Sequence, residues 1–316
     1  MNCLCCGKPL LEDTNRAGWH QSCIKRFFGT KELPQLDLSE QALEELANES
    51  TRKGHTVPGA QKKLSLHLMP QGLPRLTLVD TPAGYILKPQ AKKFAALPEA
   101  EYLVMCMADA CGLATVPHAL VQAGVELAYI TKRVDRIIFP GKPVRMLAME
   151  DFCQLDYRLT ADKYRGSYER CAKIVQRYSV RPGLDLSELY LLLVFSFLTG
   201  NSDMHLKNFS LIETDEGSGQ YVLSPAYDLL PVNVIMPEDT EEFALSMNGK
   251  KTNIRRKDFL AFASACGIDR KPAEKMLDRM VSMQPRFADM IRESILPENL
   301  KTAFAALLAA RAGSIQ

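Results

Sequence analysis

The stretch Gly200-Asn201-Ser202-Asp203-Met204-His205-Leu206-Lys207-Asn208-Phe209, read together with Tyr227-Asp228, decides the fold. It follows an apolar run at residues 189–198 that reads as a buried helix, and it precedes a second apolar run at 209–212. The plain alternative for Asp203 is a turn-capping aspartate. Against that, a carboxylate, an imidazole, an ammonium and an amide (Asp203, His205, Lys207 and Asn208) are packed into six residues. A strand at 221–223 then leads to Asp228, so a hairpin from Phe209 to Leu223 would bring Asn208 and Asp228 alongside each other. Two oxygen ligands meeting there, with phosphates and water, suit octahedral Mg2+. The remaining carboxylate, Asp203, can orient or deprotonate a hydroxyl. Phosphoryl transfer from Mg·ATP requires that set.

Working outward, Thr56-Val57-Pro58-Gly59-Ala60-Gln61-Lys62-Lys63 precedes the alternating Leu64, Leu66 and Leu68 of a strand. Such a loop can fold over phosphates, because the backbone around Gly59 has little side-chain obstruction. It is neither a Walker sequence nor a dinucleotide fingerprint. Lys88 ends a strand at 85–89, where it can reach the α- and β-phosphates or be an ordinary exposed strand lysine. A helix at 99–110 carries Glu101, either a partner for Lys88 or a surface glutamate. Strands at 116–121 and 126–134 follow. Beyond about residue 135 helical periodicity takes over, at 168–178, 185–198, 257–266, 272–283, 288–294 and 300–310. A short helix is also expected at 38–46. The expected fold class is α+β and two-lobed, with a small β-rich N-terminal lobe (31–135) and a larger helical C-terminal lobe (136–316). A Cys/His-rich segment (1–30) stands in front.

Composition sets the bounds. The chain has 316 residues, 47 % apolar and 24 % charged, with a net charge of +2, which is ordinary for a globular protein and unlike a dedicated nucleic-acid binder. The run at 189–198 is only about half a membrane crossing. The first residues lack a basic flank and an apolar core of signal-peptide type. The expected compartment is the cytoplasm, with no membrane and no direct DNA contact. One locally basic run, Lys250-Lys251-Thr252-Asn253-Ile254-Arg255-Arg256-Lys257, reads as a solvated loop or as an RNA contact.

Four of the nine cysteines fall within the first twenty-three residues. Cys3, Cys6, His20 and Cys23 are spaced C-x2-C and H-x2-C, and each pair can place two soft ligands on one turn of a tetrahedral Zn2+ site. Gly7-Lys8-Pro9 offers a knuckle turn and Trp19 can cover one side. Cys5 could replace Cys6, although alternate residues of an extended strand point apart. The other reading is a metal-free docked segment with reduced thiols. Four good ligands would leave no open position for catalysis.

Six ordered segments closely resemble the HipA-like serine/threonine protein kinases of bacterial toxin–antitoxin systems. They are Val57 to Leu66, Ile86-Leu87-Lys88-Pro89, Thr131 to Arg136, Glu150-Asp151-Phe152-Cys153-Gln154, Gly200 to Phe209 and Tyr227-Asp228. The resemblance implies that Asp203 is the catalytic aspartate and that Asn208 and Asp228 hold Mg2+. It implies that Lys207 steadies the γ-phosphoryl, Lys88 and the loop residues Gly59, Ala60, Gln61 and Lys63 bind ATP phosphates, and the backbone of Thr131, Lys132 and Arg133 holds adenine. A serine that such kinases phosphorylate on themselves is matched by Thr56, a departure, as is the stiffening Pro58. His205 is expected to support the loop. The short HipT branch is the nearest in layout, with a separate small partner protein in place of a leading domain and a DNA-binding antitoxin besides. An aminoacyl-tRNA synthetase with its tRNA is the implied substrate. A small-molecule phosphotransferase, a catalytically silent binding protein and a zinc-dependent nucleic-acid module are the rival readings.

Overall fold

Alternation governs the first half of the chain. Leu64, Leu87, Ile130 and Ala119 stand opposite one another on four neighbouring strands and are all buried. One residue further along, Lys88, Tyr129 and Leu120 form the matching row on the opposite face, and they too are buried. A computed structural model describes residues 1–10, 18–36, 63–69, 74–78, 84–138 and 144–316. The expected helix at 38–46 and the loop residues Thr56, Gly59, Ala60 and Gln61 lie outside the described residues. The chain divides into two units, Met1–Tyr102 with Val116–Arg145, and Leu103–Thr115 with Met146–Gln316.

The first unit is built on six strands: β1 (Gln35–Leu36), β2 (Leu64–Met69), β3 (Arg75–Leu78), β4 (Tyr85–Lys88), β5 (His118–Ala123) and β6 (Glu126–Lys132). Their order is β1-β3-β2-β4-β6-β5. Only β1 and β3 run parallel; each other neighbouring pair is antiparallel. The N-terminal segment covers one face. Cys3, Trp19, Phe27 and Phe28 share a core with Leu66, Tyr85, Leu87, Val121 and Ile130. Three polar bonds pin it there: Trp19 Nε1 donates to the Leu120 carbonyl at 3.1 Å, the Leu120 N–H to the Leu4 carbonyl at 2.8 Å, and the Tyr85 hydroxyl to the Phe27 carbonyl at 3.3 Å. Of the expected 1–30 segment, residues 1–10 and 18–28 therefore dock on the sheet and share its core. The first unit ends at Arg145, and the helix Leu97–Cys111 has its residues up to Tyr102 in the first unit and the rest in the second.

In the second unit the helix Pro182–Thr199 is apolar on nearly every side, as a helix surrounded by its own protein should be. It is long and apolar enough to cross a membrane by length and composition, yet 67 % of it is buried within the fold. Phe195 meets Phe287, and Phe197 meets Phe243 and Phe259, at ring separations of 5.5–5.9 Å. Gly200 ends the helix in the left-handed region (φ 69°), where any Cβ would also come within 2.9 Å of Leu307. A three-stranded antiparallel sheet (Met149–Asp151, Ser210–Glu213, Tyr221–Leu223) has the expected hairpin as two of its strands. Around these pack Tyr168–Tyr178, Arg256–Ala265, Arg270–Val281, Gln284–Glu293 and Glu298–Ile315, each overlapping an expected helix.

The basic run is largely neutralised by its own surroundings. Lys250 pairs with the fully buried Asp258 at 2.9 Å, Lys251 with Glu241 at 3.1 Å and Arg256 with Asp278 at 2.7 Å. Asp258 also accepts from the Arg255 N–H and from Asn248 Nδ2, so this loop has an internal structural task.

Candidate functional site

Asp203 lies in a turn fixed from below and open above. Beneath it, the Asn201 N–H donates to the Ser196 carbonyl at 2.8 Å, Ser202 Oγ to Asp239 at 2.6 Å, and the buried Tyr168 hydroxyl to the Met204 carbonyl at 3.1 Å. The Asp203 side chain is 46 % exposed. Its Oδ1 accepts from the Tyr164 hydroxyl at 2.7 Å, and burial together with that carboxylate raises the phenol's pKa, so Tyr164 stays a donor. A carboxylate with a fixed backbone and a half-open side chain can accept a proton from an incoming hydroxyl.

Asn208 sits in the one-turn 3-10 segment Leu206–Asn208, and its Nδ2 donates to the Asp203 carbonyl at 2.9 Å. That bond fixes the amide's orientation and assigns Oδ1 as the atom able to bind a cation. The hairpin returns the chain to this point: the Ser224 N–H donates to the Ser210 carbonyl at 2.9 Å. The Tyr227 hydroxyl then reaches Ser210 Oγ at 2.6 Å and the Lys207 carbonyl at 3.1 Å. Tyr227 is thus tied to the residue preceding Asn208, and Asp228 follows it. Asp228 has φ 60°, a left-handed backbone that an aspartate adopts at some cost and that concentrates at functional sites. His205 Nε2 stands 4.0 Å from Asp203 Oδ2, and the Asp203 and Asp228 charges both oppose the fall of its pKa.

His205 is 5 % exposed, and burial is the largest influence on its pKa, driving it below 6.5 against the opposing pull of Asp203. It is a neutral, packed support for the turn. Because the unfolded chain takes up a proton that this site resists, its contribution to stability is complete above about pH 6.5 and declines as pH falls toward the lowered value. Urea midpoints at about pH 7.5 and about pH 5 should therefore differ more in the wild type than in His205→Asn. An identical pH dependence in both proteins overturns this assignment.

Lys207 has a partner that the sequence reading did not name: its Nζ donates to Asp151 Oδ2 at 2.6 Å. Asp151 caps the helix Phe152–Leu155 through its other oxygen, in a reciprocal capping box with Gln154. The Asp-x-x-Gln spacing was a readable cap signal, but nothing in it pointed to Lys207. Tyr164 was missed for a plainer reason, since it lies thirty-nine positions from Asp203.

In the first unit Lys88 Nζ meets Glu101 Oε1 at 2.5 Å, with the two side chains only 4 % and 1 % exposed. Of the two alternatives for Glu101, the pair is present. Lys88 also stands 5.3 Å from the centre of the Tyr129 ring. Lys63 immediately precedes β2 and is exposed. The N–H groups of Lys132 and Arg133 already donate to the Pro117 and Gly84 carbonyls at 2.9 Å, and Thr131 Oγ1 donates to Pro117 at 3.0 Å. N–H donation to adenine from Lys132 or Arg133 would require those bonds to open.

Also in the first unit, Cys3, Cys6, His20 and Cys23 bring their ligand atoms within 4.8 Å of one another, and Cys5 is not part of that group.

The chain belongs to the family of the HipA-like C-terminal domain, which matches residues 55–287. A Sinorhizobium fredii protein, Y4mE, provisionally named a kinase, is 30 % identical over 220 residues, covering 67 % of this chain and 51 % of Y4mE. The serine/threonine-protein kinase toxin HipA of Shewanella oneidensis is 25 % identical over 217 residues, covering 62 % of this chain and 48 % of the toxin. The chain thus spans about half the length of these two relatives. A solved complex of Shewanella oneidensis HipA with HipB and operator DNA matches with a TM-score of 0.70 at 22 % identity, over 82 % of this chain and 65 % of that one. The mixed α+β fold is that of HipA.

Proposed function

We propose that this protein is an ATP-dependent serine/threonine protein kinase acting as the toxin of a type II toxin–antitoxin system. The observation that supports the proposal is that Asn208 is bonded to the Asp203 carbonyl while Tyr227, the residue before Asp228, is bonded back to Lys207, within a chain of the HipA-like family. Asp203 takes the acceptor's proton, and Asn208 Oδ1 and Asp228 hold Mg2+ against the phosphates. Lys88, oriented by Glu101, binds the α- and β-phosphates, together with the loop around Gly59, Ala60, Gln61 and Lys63. The adenine is held at Thr131 to Arg133, in part through carbonyl oxygens, and Thr56 is the site of self-phosphorylation. Lys207 is positioned by Asp151 and balances charge on the transferring group. A DNA-binding antitoxin is the partner, as HipB is for the Shewanella toxin, with a small second protein as in the HipT branch. The substrate is an aminoacyl-tRNA synthetase in a cytoplasmic setting. The basic run at 250–257 adds nothing to this reading, since its cations are mostly paired within the fold.

The test is a quantitative phosphopeptide comparison of a bacterial lysate incubated with Mg·ATP and either the wild type or Asp203→Asn. New phosphoserine or phosphothreonine on a synthetase, present only with the wild type, supports the proposal. ATP consumption without new phosphopeptides moves the chain to small-molecule phosphotransfer. Equal ATP turnover by both proteins overturns the enzymatic reading.

A further inference from the structure

The Cys/His cluster is not used by phosphoryl transfer, yet among the described residues it is the group of four potential metal ligands whose ligand atoms converge. We propose that Cys3, Cys6, His20 and Cys23 hold a structural Zn2+ that fastens residues 1–10 and 18–28 to the sheet face opposite Lys88.

The argument begins with geometry. Tetrahedral Zn2+, with bonds of about 2.3 Å to sulfur and about 2.0 Å to nitrogen, requires ligand atoms about 3.5–3.8 Å apart. Here His20 Nδ1 is 3.3 Å from Cys6 Sγ and 3.9 Å from Cys23 Sγ, and all four ligand atoms lie within 4.8 Å of one another. None of the nine cysteines is joined in a disulfide, so no such bond accounts for the convergence.

The ligands are also held in position before any metal arrives. Cys3 and Cys6 flank a tight turn in which the Gly7 N–H donates to the Cys3 carbonyl at 2.8 Å, with Gly7 in the left-handed region at φ 69°. His20 and Cys23 come from the start of the helix Gln21–Phe28, where the Cys23 N–H donates to the His20 carbonyl at 3.0 Å. His20 Nε2 is bonded to the Pro9 carbonyl at 3.0 Å, which fixes the proton on Nε2 and leaves Nδ1 as the ligand atom. Metal-bound histidines are typically oriented by such a second partner.

Charge is balanced as well. Three thiolates around one divalent cation leave a single negative charge. Arg26 Nη2 lies 3.9 Å from Cys23 Sγ, and the His20 N–H donates to Cys3 Sγ at 3.4 Å. Thiolates and an imidazole select zinc over the hard cations, and four protein ligands leave no position for a reactive water. Cys3 and Cys23 are buried whereas Cys6 and His20 are partly exposed, so the metal can enter from one side.

The experiment uses the full chain purified under reducing conditions, with metal content by mass spectrometry and zinc-edge X-ray absorption. One zinc per chain with three sulfur neighbours and one nitrogen neighbour is expected. A soft-metal chelator should lower the melting temperature by about 10 °C or more, because the metal contributes to folding itself. Cys5→Ser should keep the metal and Cys6→Ser should lose it. Should Cys6→Ser fail to fold, the absorption spectrum of the wild type still decides. Folded protein without stoichiometric zinc, a four-sulfur shell, or loss of metal from Cys5→Ser overturns the assignment.

Discussion

Asp203→Asn is expected to lower the rate of phosphoryl transfer by roughly a hundred- to ten-thousand-fold while leaving the fold and Mg·ATP affinity nearly unchanged. The substitution is isosteric, and the turn is held by bonds that do not involve the Asp203 carboxylate: Asn201 to Ser196, Ser202 to Asp239 and Tyr168 to Met204. An asparagine oxygen can still accept from Tyr164, so the hydrogen-bond pattern survives and only the basicity is lost. The proposed metal ligands Asn208 and Asp228 are untouched, which is why nucleotide binding should persist. Single-turnover rates and nucleotide titrations on the same preparation check both halves. A rate within a few-fold of wild type removes Asp203 from the chemistry. A parallel collapse of nucleotide affinity gives it a binding role instead.

The second large effect concerns the buried pair. Removing one partner of a desolvated ion pair strands the other charge, a loss of about 3–5 kcal/mol, whereas removing both in favour of apolar groups costs far less. With Lys88 and Glu101 both nearly inaccessible and 2.5 Å apart, Glu101→Leu alone should shift the denaturant midpoint strongly downward. Lys88→Met combined with Glu101→Leu should recover most of that stability. Activity should not return in the double variant, because the group proposed to bind phosphate is gone. This contrast separates stability from function. If the double variant is as unstable as Glu101→Leu, the pair is not the source of the loss; if it retains full activity, Lys88 is not the phosphate-binding lysine.

Much of this was legible in the sequence because it was local. The turn after an apolar helix, the alternating strands and the C-x2-C and H-x2-C spacings all depend on residues close in the chain. The return of the hairpin to Asn208 could be anticipated because strand length and the intervening polar stretch allow little else. What could not be read was pairing between distant side chains. Asp151 with Lys207 and Tyr164 with Asp203 are set by packing across fifty-six and thirty-nine positions. Docking of the N-terminal segment was one of the two readings, but the face that receives it was hidden for the same reason. Nothing in the spacing of Trp19, Phe27 and Phe28 names the sheet strands that they pack against.

The sheet's two-sided burial restricts how this chain can change over time. In β4, Leu87 enters the core shared with Trp19 and Phe27, while Lys88 faces the other way toward Glu101. Gaining or losing one residue inside Tyr85–Lys88 would invert that assignment, setting a cation among aromatics and an aliphatic chain beside a buried carboxylate. Length variation among descendants should therefore be tolerated in the connecting turns and selected against within this strand.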